Sequence, residues 1–227
     1  MILGIPVLNL PEMLRACVAS IDHPLHLVVI DNSPEGDWAA DIALTHVGPV
    51  TVAQPAANLG FTASVNHLIR AFPDEPAWYV ANADTVFAPG DLARLEAETH
   101  GLRWTGVVDW RVFGITRETV DAVGLWDENF FNYCSDADYE WRCHLAGVEM
   151  LRLPGSTSHV GSVAYQRDAR YAHQNQRSYP VERAYYARKW GGDLRGGEAY
   201  RTPFGRTDAH LSEWTLDLSL LRQTAWR

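Results

Sequence analysis

The chain has 227 residues, 47% of them hydrophobic and 21% charged, with a formal net charge of -9. That composition supplies a core for one α/β domain with an appended tail and excludes global disorder. The acidic balance excludes a nucleic-acid polymer as partner, because non-specific binding of that kind depends on neutralising phosphates with Lys and Arg. It leaves open a nucleotide held through a metal ion. Cys17, Cys134 and Cys143 show no CxxC spacing, which argues against a disulfide framework or a structural zinc and predicts a reduced, cytoplasmic, soluble protein. No apolar run reaches the roughly 18 residues of a membrane span. The start, MILGIPVLNLPEM, lacks a basic leading segment and reads as a strand entering a helix rather than as a signal peptide.

Along the chain, Ile2 to Val7 predicts a short strand. Leu10, Met13, Leu14, Cys17, Val18 and Ile21 recur at helical spacing. HLVVID is a continuous apolar run ending at Asp31, as suits a strand covered on both faces. Pro34 and Gly36 mark a loop. Val50 to Ala53 predicts a third strand, and Phe61, Val65, Leu68, Ile69 and Phe72 a second helix. WYVANAD reads as a strand ending on polar residues, and Pro89 and Gly90 open a third helix. This alternation predicts an α/β fold with a mostly parallel sheet, whose ligands sit at the carboxyl ends of the strands. Asp31 and Asp84 fall at two such ends.

The second half is strand-rich across WTGVVDWRVFGITRE, turning into a helix at Thr116. DADYEWRCHLAG predicts a helix closed by Gly147, and VEMLRLP a further strand. The stretch after His159 yields no assignment. At the end, Trp214, Leu216, Leu218 and Leu220 alternate like a strand, while Leu211, Trp214, Leu218 and Leu221 would form a helical stripe.

Five segments in this order carry a resemblance: GIPVLN, VVIDNS, NLGFTASVN, VANAD and SDADYEWR. Together they resemble the family 2 glycosyltransferases of GT-A fold, nearest to the rhamnosyl- and galactofuranosyl-transferases, over about residues 2 to 190. The resemblance implies a GT-A domain over 1–190; the apolar residues of the remaining extension, 191–227, call for cover by the domain or in a homodimer. It implies an inverting transfer from a nucleotide-diphosphate sugar, UDP or dTDP, to an acceptor hydroxyl on a glycan, a lipid-linked sugar or a protein. The alternative is a non-catalytic sugar-nucleotide or glycan binding module.

The resemblance assigns donor contacts to Asp31, Asn32, Asn58, Gly60, Asn66 and Asn82. The alternative for Asp31 is a turn aspartate, for Asn58 a helix cap, and for Asn66 a structural amide. NAD at 82–84 stands where the family carries Asp-x-Asp, so Asn82 replaces an aspartate and Asp84 is the expected metal ligand, joined by His159. The cofactor so implied is divalent, Mn2+ or Mg2+; a histidine ligand favours manganese. SDADYEWR stands where the family carries Glu-Asp-x-Asp, with Ser135 replacing the glutamate. Asp136 matches the catalytic base, which takes the acceptor proton. Asp138 and Arg142 are expected as an i,i+4 pair supporting the site or the acceptor, and Trp126 as a sugar-stacking ring or a core residue. Arg188 and Lys189 read as solvated helix charges.

Overall fold

The computed structural model describes residues 1–34, 37–159 and 169–212. Seven strands form one sheet in the order β3-β2-β1-β4-β7-β6-β8. They are β1 (Ile2–Val7), β2 (His26–Asp31), β3 (Val50–Ala53), β4 (Ala77–Ala81), β6 (Arg103–Gly106), β7 (Val112–Thr116) and β8 (Glu149–Arg152). Two short strands, β5 (Thr85–Val86) and β9 (Ser158–His159), pair antiparallel above it. In the main sheet β7 alone runs against its neighbours, β4 and β6, and the remaining pairs are parallel. The α/β sheet is thus mostly parallel and mixed, as the alternation of elements predicts.

Each central strand splits its side chains between two cores, because successive residues point to opposite faces. Leu3, Ile5, Leu27, Val29, Tyr79 and Ala81 face one side, with α1 (Pro11–Ala19), α2 (Trp38–Ala43) and α4 (Asp91–Glu98) packed there. Ile2, Val28, Ile30, Trp78, Val80, Phe113 and Ile115 face the other, under α3 (Gly60–Ala71), α5 (Arg117–Val123) and α6 (Ser135–Leu145). Both faces are therefore apolar, which is why β2 and β4 read as unbroken hydrophobic runs.

Local signals set the helix boundaries. Thr116 caps α5 by accepting the Thr119 N–H at 3.2 Å. Gly147 follows α6 with φ +71, a backbone that costs a side-chain-bearing residue energy. Helix α2 follows the loop marked by Pro34 and Gly36, in a stretch to which the sequence assigns no element; Ala39, Ile42 and Ala43 give it a short buried stripe. The unassigned stretch contains α7, a 22-residue helix (Ala169–Trp190) that carries Pro180 inside it. Tyr186 and Trp190 of α7 pack on Phe130, Cys134 and Ala137, forming a third cluster outside α6. The chain then doubles back, with the Ala199 and Tyr200 N–H groups both on the Trp190 carbonyl at 2.9 Å. The apolar residues from Trp214 to Leu221 lie outside the described residues. Among the described residues no helix is long and apolar enough to cross a membrane.

Candidate functional site

Strands β1, β2 and β4 run parallel, so their carboxyl ends meet along one edge. A cleft of about 620 Å³ opens there, where sheets of this class bind ligands. One wall carries Val7 and Leu8 after β1, Asn32 after β2, Asn58 and Gly60 at the start of α3, and Asn82 and Asp84 after β4. The facing wall carries Asp109 to Arg111, Asn132, Tyr133, Ser135, Asp136, Glu140, Arg152 and Arg195.

The acid loop starts where β4 runs out of apolar residues. The Asn82 N–H donates to the Arg111 carbonyl at 2.9 Å, and the Thr85 N–H to the Asn82 carbonyl at 3.1 Å, closing a turn over Asn82–Asp84. Asp84 keeps 8% of its surface at the cleft. Thr85 lies in register with His159, which brings that residue's backbone beside Asp84; the His159 side chain lies outside the described set. Asp91 anchors the approach to β9. Its Oδ2 accepts the Thr157 N–H at 3.0 Å and the Thr157 hydroxyl at 2.6 Å. Burial, then the Asp84 charge, push the nearby Cys17 thiol up to about 12, so it stays protonated near neutral pH.

Among the described residues no three His, Cys, Asp or Glu side chains gather into a metal cage. The donor set present, the Asp84 carboxylate and the Asn82 amide oxygen, fits a hard cation that takes its remaining ligands from a substrate's phosphates and water. Magnesium-type sites are commonly built that way, on one or two carboxylates.

Asp136 stands in the first turn of α6, after Cys134 with its left-handed backbone, φ +62. Its Oδ2 accepts from Arg195 Nη2 at 3.0 Å. Both side chains remain accessible, at 37% and 64%. The loop before α6 is fixed from α7: Glu182 Oε2 accepts the Tyr133 N–H at 2.7 Å and the Asn132 N–H at 3.3 Å. Burial pushes the Glu182 carboxyl above its ordinary range.

Asp138 and Arg142 do form the expected i,i+4 pair, at 2.9 Å, but fully buried and away from the cleft. Lys189 Nζ reaches Asp138 Oδ1 at 2.7 Å and Asp127 Oδ2 at 2.6 Å, and the Trp190 indole donates to Asp138 Oδ1 at 2.8 Å. Burial disfavours the Asp138 charge, yet Lys189 and Arg142 outweigh it and hold this carboxyl below the usual range. These residues are buried and do not line the cleft. Lys189 is 1% exposed, so it is a buried ion-pair partner and not the solvated charge expected; Arg188 next to it is exposed.

Three further candidate positions stand away from the cleft. Asp31 is buried and does not line the cleft. Its carboxylate closes a turn on the Ser33 N–H at 3.0 Å and accepts from Gln54 at 3.3 Å. Asn66 is buried behind the wall. Its amide donates to Glu128 and to the Trp126 carbonyl, both at 2.8 Å, and accepts the Trp126 N–H at 2.9 Å. Trp126 is core, stacked on Tyr139 with centroids 4.5 Å apart. Asn32, Asn58 and Gly60 do reach the cleft, each in a structural bond. Asn32 accepts the Leu59 N–H at 2.8 Å, and Asn58 accepts the Gly60 N–H at 2.8 Å. Gly60 has φ +71, and a Cβ there would sit 2.6 Å from the Phe131 carbonyl oxygen. Glycine is what lets the two walls approach.

Sequence reasoning missed the facing wall's Asp109, Arg111, Glu140, Arg152 and Arg195. The signal available was the polar break Asp109-Trp110-Arg111 between two apolar strands, a turn in a strand-rich stretch. Arg195 carries only the weaker signal of a loop with glycines on both sides.

No family model and no curated protein matches the chain. Solved structures do resemble it. Staphylococcus aureus TarS is 13% identical with a TM-score of 0.53, over 73% of this chain and 38% of that one. GalNAc-T7 with UDP, GalNAc and Mn2+ is 11% identical with a TM-score of 0.56, over 67% and 42%. S. aureus TarS 1–349 in complex with UDP-GlcNAc is 12% identical with a TM-score of 0.52, over 70% and 56%. The chain spans less than two thirds of each of these structures. At such identity the shared property is the fold, the mixed sheet with flanking helices of GT-A glycosyltransferases.

Proposed function

We propose that the protein is a nucleotide-sugar glycosyltransferase that inverts the anomeric centre, and that the cleft holds donor and acceptor against its two walls. The observation that carries this reading is that Asp84 and Asp136 both line one cleft at the carboxyl edge of a mixed α/β sheet of GT-A type. The solved structures of this fold that contain UDP, UDP-GlcNAc, or UDP with GalNAc and Mn2+ support the donor class.

In this reading the donor lies along the first wall, its base near Val7, Leu8 and Asn32 and its diphosphate at Asn82–Asp84. Asp84, with the Asn82 amide oxygen and His159 from the neighbouring strand, would hold a divalent cation, Mn2+ or Mg2+. Such a cation supplies Lewis-acid neutralisation of the diphosphate as it leaves. Asn82 brings a neutral oxygen where the family pattern has a charged one, so Asp84 carries the electrostatic share. Asp136 takes the proton from the acceptor hydroxyl. Arg195 occupies its Oδ2, which turns Oδ1 into the oxygen available to the acceptor. Asp138, locked to Lys189 and Arg142, fixes the helix that presents Asp136. The acceptor is a hydroxyl of a glycan, a lipid-linked sugar or a protein.

Calorimetric titration of UDP, dTDP and GDP, with manganese and after chelation, tests the reading. One nucleotide should bind more tightly with manganese, and Asp84→Ala should remove that gain. Binding of none of the three would end the transferase reading and leave a glycan-binding module.

A further inference from the structure

We propose that Arg111 is a diphosphate-binding residue of the cleft, sharing the donor's charge with the cation at Asp84; this rests on the donor reading above. Arg111 ends the tight turn between β6 and β7. The Val107 N–H donates to the Val112 carbonyl at 2.9 Å, and the Arg111 N–H to the Val108 carbonyl at 3.0 Å, while Asp109 takes φ +45. The turn is pinned on both sides. Asp109 pairs with Arg152 at 3.0 Å, and the Trp110 indole donates to Glu140 at 3.3 Å.

The turn places Arg111 at the acid loop. Ala81 lies in register with Val112, so Arg111 stands across from Asn82, and its carbonyl accepts the Asn82 N–H at 2.9 Å. Three guanidinium groups line the cleft. Arg152 is committed to Asp109 and Glu140, and Arg195 to Asp136. Arg111 lines the cleft exposed, and it makes no ion pair with a described residue. In a chain of net charge -9, an exposed guanidinium in the cleft, on a residue bonded to the Asn82 backbone, suits an anionic ligand.

The charge balance of the loop points the same way. A cation held by Asp84 with a neutral Asn82 in place of a second carboxylate leaves positive charge for the diphosphate, and the guanidinium across the loop adds to it. Guanidinium suits the task because its planar fork matches two phosphate oxygens at once and stays charged at every working pH.

The test is titration of wild type, Arg111→Gln and Arg111→Lys with UDP, inorganic pyrophosphate and uridine, with manganese and after chelation. Arg111 is exposed, so the variants should melt with wild type. Arg111→Gln should weaken UDP and pyrophosphate about tenfold to hundredfold, with uridine unchanged and Arg111→Lys in between. Equal pyrophosphate and UDP affinity in wild type and Arg111→Gln, in both conditions, overturns the assignment. Pyrophosphate binding through Arg111 without binding of any nucleoside diphosphate upholds the residue's role and overturns the donor reading. Absence of both from wild type overturns the two together.

Discussion

Asp136 and Asp138 show how far apart two neighbouring carboxylates can be in chemistry. On a helix, positions two apart point about 200° from one another. Asp136 therefore faces the cleft, while Asp138 faces α7 with no exposed surface. Only the first lines the cleft, and in the proposed reaction only it is placed to meet an acceptor. Asp136→Asn keeps size and the Arg195 contact but removes the base. Turnover should fall at least about a hundredfold, with donor binding by calorimetry unchanged. Turnover equal to wild type would remove Asp136 from the mechanism. At this scale the resemblance singled out Asp136 and left Asp138 open between support and acceptor contact, because α7, which claims Asp138, lay in the stretch that gave no assignment.

The α6–α7 contact is the element on which the second wall depends. Asp127, Asp138, Arg142 and Lys189 balance two negative against two positive charges in a buried set. Removing one partner of such a set strands a charge and costs about 3–5 kcal/mol. Lys189→Met should therefore lower the urea midpoint sharply. The pH dependence has a defined sign. The folded Asp138 carboxyl is held below its unfolded value near about 3.9. Its stabilisation is thus fully present above that value and is lost as pH falls through the lowered one. In Lys189→Met the main counter-charge is gone, so the loss should begin at higher pH. Urea midpoints measured between neutral pH and pH 3 check this; parallel curves for the two proteins would show that Lys189 does not govern Asp138.

Across the whole molecule the two walls come from different parts of the chain. The parallel strands supply one part of the cleft lining, and the Asp109–Arg111 turn before β7, α6 and the loop after α7 supply the rest. Of the acids on the facing wall, Asp109 and Glu140 both pair with Arg152, while Asp136 offers an oxygen. One available carboxylate on the acceptor side suits a single displacement, without a covalent intermediate on a second. The product formed by this protein should carry the opposite anomeric configuration to its donor, read by the anomeric coupling in NMR. Retention would overturn the single displacement.

What the sequence determined by itself was local and periodic. The strands β1 to β4, helices α1, α3 and α4, the Thr116 cap and the Gly147 stop follow from hydrophobic spacing and capping chemistry, which act within a few residues. It also placed Asp84 at the carboxyl end of a strand, where the fold puts a cleft, while Asn58, Gly60, Asn82 and Asp136, which line the same cleft, were singled out by the resemblance. Tertiary structure decided what periodicity cannot carry. Helix α7 has a polar surface and an internal proline, and takes its place by docking on α6 through Tyr186, Trp190 and the Lys189 ion pairs. The burial of Asp31, Asn66 and Trp126 likewise depends on partners distant in sequence, such as Gln54, Glu128 and Tyr139. A polar side chain looks the same in a sequence whether it faces a ligand or a buried partner; only the packing of the rest of the chain around it makes the choice.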